Sequence, residues 1–143
     1  MNTLSKNFTL SELVRTNAPI PNVPSAEEVA NLKELVVNVL QPAREIFGKP
    51  IAVTSGFRSK AVNAHVGGAP NSQHVKGEAV DVVCDDNSEL FDIIRQLDFD
   101  QLIWEFGNDI QPKWLHVSYK KIGNRKDVLK AKKINGKTTY IKI

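Results

Sequence analysis

The 143 residues are 41% hydrophobic and 24% charged, a balance that excludes a disordered or fibrous chain and fits one domain spanning residues 1–143 around a single core. No stretch approaches the roughly 18 consecutive apolar residues of a membrane span. The start, MNTLSKNFTLSELVRT, lacks the apolar run and small-residue cleavage site of a secretory signal, so synthesis in the cytoplasm without general export or membrane insertion is expected.

In chain order, Thr9 followed by Glu12 forms a capping box that predicts a short helix through about Arg15. Residues NAPIPNVP read as a rigid loop, and Ser25 with Glu28 opens a longer helix. In it Val29, Leu32, Leu35, Val36, Val39 and Leu40 recur at helical spacing, with a kink expected at Pro42 and a stop at Gly48. A short strand follows at Ile51 to Thr54, then a helix from Ser59 to Val66 and a Gly, Pro, Asn and Ser loop from Gly67 to Gln73. Next come a strand from Glu78 to Val83, a helix capped by Asn87 or Ser88, and strands from Gln101 to Phe106 and Trp114 to Tyr119. At the end, Asn135-Gly136 between alternating segments predicts a hairpin over about 126–143. The class is therefore α+β.

The net charge of +3 conceals an asymmetry: from Gln111 onward ten Lys or Arg face one acid, Asp127, which leaves nine basic and fifteen acidic residues before it. A basic segment of this kind can hold an anionic polymer, but its lysines are scattered rather than interleaved with stacking aromatics, and no nucleic-acid motif accompanies them. The simpler reading is that they keep terminal strands from pairing with other chains. No nucleic-acid partner is expected, and the chain is read as a monomer.

The chemistry concentrates in SGFRSKAVNAHVGGAPNSQHVKGEAVDVV and in WLHVSY. His74 precedes a strand and Asp81 lies within it, so a bend at Gly77 can bring both side chains to one point. Period-two alternation makes Asp81 a carboxylate in an otherwise apolar strand, and a charge buried there must be paired or bind a cation. His116 stands in an equally apolar strand. With Cys84 the only cysteine, no intramolecular disulfide is possible and a metal would rest on histidine and carboxylate. Two histidines, one carboxylate and an open fourth position suit catalytic zinc. Spacing alone leaves open that either histidine is a hydrogen-bonded core residue.

The runs SGFRS, NSQHVKGEAVDV and WLHVSY resemble the zinc D-alanyl-D-alanine carboxypeptidases and the related phage endolysin peptidases, which share a fold with the hedgehog signalling domain and the vancomycin-resistance dipeptidases. The family pattern Ser–x–His–x–x–Gly–x–Ala–x–Asp with a distant second histidine is met by Ser72, His74, Gly77, Ala79, Asp81 and His116, and the likeness spans Phe8 to Tyr119. The resemblance implies a hedgehog/DD-peptidase-like fold, a small antiparallel sheet carrying the zinc site with helices around it, with Zn²⁺ held by His74, Asp81 and His116. It implies that Arg58 holds a substrate carboxylate or oxyanion and that Ser72 orients substrate or a ligand. Their plainer roles are a salt bridge to a loop acid and a turn bond within the loop. Trp114 is expected on the cleft side, with plain packing as its alternative, His65 on the surface, and Cys84 as a small buried hydrophobe.

Where many relatives carry a general base three residues before the second histidine, this chain has Lys113. Pairing the strands 101–106 and 114–119 antiparallel by their apolar faces sets Ile103 and Glu105 beside Trp114, His116 and Ser118. Glu105 is thus expected as general base, its pKa raised by poor solvation. The alternatives are an ion pair with Lys113 or Arg58, and Asp109 or Glu78 as the base. The resulting expectation is a zinc metallopeptidase that hydrolyses bacterial peptidoglycan peptides at the cell wall, as a carboxypeptidase or as an endolysin-type endopeptidase reaching the wall after phage-mediated release. The competing expectation is a metal-retaining but inactive wall-binding module.

Overall fold

A computed structural model describes residues 2–143. Two short strands, β1 (Thr3–Ser5) and β2 (Phe8–Thr9), pair antiparallel and lead into helix α1 (Leu10–Val14), capped by the reciprocal Thr9–Glu12 box. These strands lie outside the sequence reading because two or three residues carry no periodicity. Helix α2 (Ala26–Leu35) opens on the Ser25–Glu28 box, and helix α3 (Gln41–Phe47) ends at Gly48 with φ 74°. Between them Val36–Leu40 forms a widened π turn in which the Gln41 N–H reaches back to the Val36 carbonyl. The irregularity expected at Pro42 takes this form: the ring and its missing N–H prevent a normal α turn, and the helical path widens just before it. Leu32, Leu35, Val36, Val39, Leu40 and Ala43 are fully buried along it.

Strand β3 (Ala52–Ser55), helix α4 (Lys60–His65), a 3₁₀ turn at Gln73–Lys76 and strand β4 (Ala79–Val83) follow. Helix α5 (Asn87–Arg95) is capped by Asp86, whose carboxylate accepts from the Glu89 N–H at 3.0 Å. The cap is therefore not Asn87 or Ser88. The Asn87 amide is engaged elsewhere, accepting from the Cys84 N–H at 2.9 Å and donating to the Pro112 carbonyl at 3.1 Å.

Strands β5 (Gln101–Glu105), β6 (Trp114–Ser118), β7 (Asp127–Ile134) and β8 (Lys137–Lys142) complete a six-stranded sheet in the order β3-β4-β6-β5-β7-β8. The α+β class holds, but the sheet is mixed: β7 runs parallel to β5, because the segment after β6 crosses to the far side of β5 before turning back. Asp100 fastens that crossover. Its fully buried carboxylate accepts from the Arg125 backbone N–H and Nε at 3.0 Å and from Nη2 at 2.8 Å, and also from Gln73 Nε2 at 3.0 Å. The hairpin turn at Asn135-Gly136 has φ of 52° and 78°, the left-handed pair that two-residue hairpins require.

The sheet has two unlike faces. Val80, Val82, Leu102, Trp104, Leu115 and Val117 join Leu13, Leu32, Leu35, Leu90 and Ile94 in the core. Alternation sends Asp81, Ile103, Glu105 and His116 to the opposite face, where they line an open cleft.

Candidate metal centre

Strand pairing fixes the site. Asp81 of β4 lies opposite His116 of β6, His116 lies opposite Ile103 of β5, and Trp114 opposite Glu105. The antiparallel pairing expected from the apolar faces is observed, with Leu102 and Trp104 on the core side; Phe106, expected there too, leaves the strand at φ 58° and lines the cleft instead. His74 arrives from the 3₁₀ turn, which ends at Gly77 with φ 74°. A Cβ at Gly77 would fall 2.6 Å from the Glu28 carbonyl oxygen, so glycine serves both the backbone conformation and the close approach to α2.

One ligand atom from each of His74, Asp81 and His116 lies within 4.8 Å of the other two. His116 Nδ1 is 3.0 Å and His74 Nε2 is 3.4 Å from Asp81 Oδ1. His74 is buried, and its Nδ1 stands 2.7 Å from the Gly56 carbonyl. A carbonyl can only accept, so Nδ1 carries a proton and Nε2 is the ring atom aimed at Asp81. Burial alone would raise the Asp81 pKa, but hydrogen bonds from His116 and His74 outweigh it and hold the carboxyl well below the ordinary range. An anion and two imidazoles aimed at one point are a donor set that fits zinc with a position left open.

A cleft of about 880 Å³ lies over these residues, and Asp81 and Glu105 are the acids that line it. Glu105 is 8% exposed, and among the described residues it takes part in no ion pair within 4 Å. Burial pushes its carboxyl up to about 7, with Asp81 adding to the rise and His116 opposing it. The ion pairs considered from sequence are not formed: Arg58 Nη2 lies 3.5 Å from Asp81 Oδ2, and Lys113 meets Glu105 only through a backbone bond of 2.9 Å. Asp109 is largely exposed and paired with Lys130 outside the cleft, and Glu78 does not line it.

Arg58 borders the cleft, held by Ser55 Oγ at 3.0 Å and Asn63 Oδ1 at 3.2 Å. Ser72 also borders it while its Oγ accepts from the His74 N–H at 3.2 Å, the local turn bond weighed above. Trp114 lines the cleft with its ring tilted against Phe106, centroids 5.5 Å apart. His65 is exposed, and Cys84 is half-buried against the core rather than fully buried.

Sequence reasoning missed Leu129, Thr138 and Tyr140, which the terminal hairpin brings to the cleft wall. Glu105 pairs with Ala131 and Ala131 with Tyr140, so the three occupy one row across β5, β7 and β8. Burial, with Glu105 and Asp81 nearby, raises the Tyr140 hydroxyl pKa. No local signal announces this placement, since it depends on β7 entering beside β5.

The fold thus sets a candidate metal-ligand triad and a buried carboxylate on adjoining strands. Residues 6–118 match the family model described as Peptidase M15, and the chain belongs to that family. It is also similar to the zinc D-Ala-D-Ala carboxypeptidase of Streptomyces albus G, with 42% identity over 78 residues. That match takes in 53% of this chain and 31% of the relative, so the chain spans less than a third of that protein's length.

Proposed function

We propose that this protein is a zinc-dependent peptidase that hydrolyses peptide bonds of bacterial peptidoglycan, as a D-Ala-D-Ala carboxypeptidase or an endolysin-type endopeptidase. The observation that carries the reading is the convergence of His74, Asp81 and His116 within 4.8 Å, with Glu105 on the next strand and its carboxyl raised to about 7. His74, Asp81 and His116 would hold the metal, which when bound would supply Lewis acidity to polarise the scissile carbonyl and acidify a water.

The protein's own groups do the rest. Glu105, shielded from solvent and without a cationic partner, accepts the attacking water's proton and returns it to the leaving amine. Arg58 presents a fork of donors to a substrate carboxylate or to the negative charge that develops on the carbonyl oxygen. The Gly56 carbonyl fixes the His74 tautomer, and Trp114 and Tyr140 bound the space for the peptide.

A second reading, a metal-retaining wall-binding module, draws on Lys113 in place of the acid that many relatives carry. Glu105 supplies a carboxylate at the neighbouring strand position and favours the enzyme. The proposal extends to a monomeric protein acting at the cell wall, in a phage-lysis setting for the endopeptidase variant; no helix of the structure among the described residues is long and apolar enough to cross a membrane. Mass spectrometry of purified wall fragments after incubation tests the reading, because each bond cut gives a defined mass change. Unchanged fragments with zinc-loaded protein would favour the binding module.

A further inference from the structure

A second hollow, of about 700 Å³, adjoins the metal cleft and shares Phe106 and Trp114 with it. Its rim carries Lys113, Lys130, Lys132 and Lys133, and its one acid is Asp109. Asp109 is already committed to Lys130. Among the described residues, Lys113, Lys132 and Lys133 have no carboxylate within 4 Å, and Lys133 Nζ stands 6.0 Å from the centre of the Phe106 ring. The hollow thus joins an aromatic floor to three uncommitted positive charges.

Phe106 is the hinge between the two spaces. Its φ of 58° lies in the left-handed region, where a bulky aromatic is strained. The conformation is held by a 3.0 Å bond from its N–H to the Ala131 carbonyl, and it ends β5 one residue after Glu105. Lys113 begins the approach to β6 on the other side. The position where many relatives place an acid therefore serves the charge of this hollow instead of the cleft.

We propose that this hollow is a subsite for an acidic side chain of the peptide whose scissile bond lies over His74, Asp81 and His116. The assignment rests on the peptidase reading for the identity of that peptide, and on charge complementarity and shared walls for the location. An extended tetrapeptide reaches about 13 Å, and because the cleft and the hollow share Phe106 and Trp114, a peptide running past Trp114 passes from one space into the other. Phe106 and Trp114 pack the peptide stem while Lys113, Lys132 and Lys133 meet the carboxylate.

The test compares acetyl-Glu-Gly-D-Ala-D-Ala with acetyl-Gln-Gly-D-Ala-D-Ala, which differ by one carboxylate. Binding is followed by tryptophan fluorescence in a Glu105→Gln background, so that the peptides persist. The glutamate peptide is expected to bind about five-fold more tightly at low salt, and Lys132→Ala/Lys133→Ala should erase that preference. A Lys121→Ala/Lys137→Ala variant removes the same charge elsewhere and should retain it. Equal affinity for the two peptides, or a preference lost equally in both double variants, would overturn the subsite. Hydrolysis of neither peptide nor wall fragments by the unmodified protein would count against the peptidase reading, while the binding comparison still decides the subsite.

Discussion

The centre of the sheet and its terminal hairpin use charge in opposite ways. On β4 and β5, Asp81 and Glu105 are separated by one strand, and both are largely removed from water. Asp81 has two imidazole partners and is held well below the ordinary carboxylate range. Glu105 lacks a cationic partner, and burial lifts it to about 7. On β7 and β8 the lysines mostly face solvent, as with Lys142, whose side chain is 82% exposed even while paired with Asp127. Partner and solvent, more than residue type, decide what a charged group can do. Tyr140 shows that the regions are nonetheless joined, since a hairpin residue stands in one row with Glu105.

The largest effect should come from breaking the central triad. His74→Ala and His116→Ala are each expected to reduce metal affinity by more than the roughly 10- to 100-fold that loss of an outer-shell partner costs, and to abolish turnover. Elemental analysis checks this, and unchanged metal content would remove the site. Next is Glu105→Gln, expected to lower turnover by roughly 10²- to 10⁴-fold with metal retained. Metal loss would instead make Glu105 a structural group or ligand, and near wild-type activity would remove it as the base.

The same carboxyl sets a pH dependence. As a base Glu105 must be ionised, so kcat/KM should rise with pH through about 7 and fall below it. An unaltered profile in Glu105→Gln would assign the inflection to another group.

Where hairpin and centre are tied together, Asp100→Ala should destabilise the fold by about 3 kcal/mol, read by denaturant unfolding, because it leaves Arg125 and Gln73 without their acceptor. Burial opposes the Asp100 charge, but bonds from Arg125 and Gln73 prevail and lower its carboxyl from 3.8 to about 2. Its stabilisation is therefore complete above the ordinary value and is lost as pH falls toward about 2. The smallest effect belongs to the exposed hairpin charges. Lys137→Ala/Lys142→Ala should weaken sedimentation with insoluble wall by about two-fold at low salt and not at high salt, and equal binding at both salts would argue against an electrostatic role.

The parts legible from sequence were those written in local chemistry. Both capping boxes, the long apolar helical stripe and the Asn135-Gly136 turn announce themselves within a few residues. The antiparallel pairing of β5 and β6 and the faces of Leu102 and Trp104 followed from the apolar pattern, which also placed Glu105 near His116. What stayed hidden depends on distant partners. Parallel entry of β7 beside β5, the grip of Asp100 on Arg125 and the arrival of Tyr140 at the cleft come from pairings that no periodicity encodes. The Asp86 cap was obscured by two neighbouring residues of equal capping ability, one of which the loop claims for itself.

Gly56 carries a further consequence. A Cβ there would fall 2.1 Å from the Leu13 carbonyl oxygen, and that same oxygen accepts from the Phe57 N–H at 2.7 Å. The Gly56 carbonyl in turn sets the His74 ring. Docking of the amino-terminal helix is thereby linked to the orientation of a proposed metal ligand through one peptide unit. Metal retention becomes a gauge of whether the amino-terminal segment is seated, and a bulky fusion before Thr3 or a substitution at Gly56 should be felt first as faster metal release, ahead of any loss of the sheet.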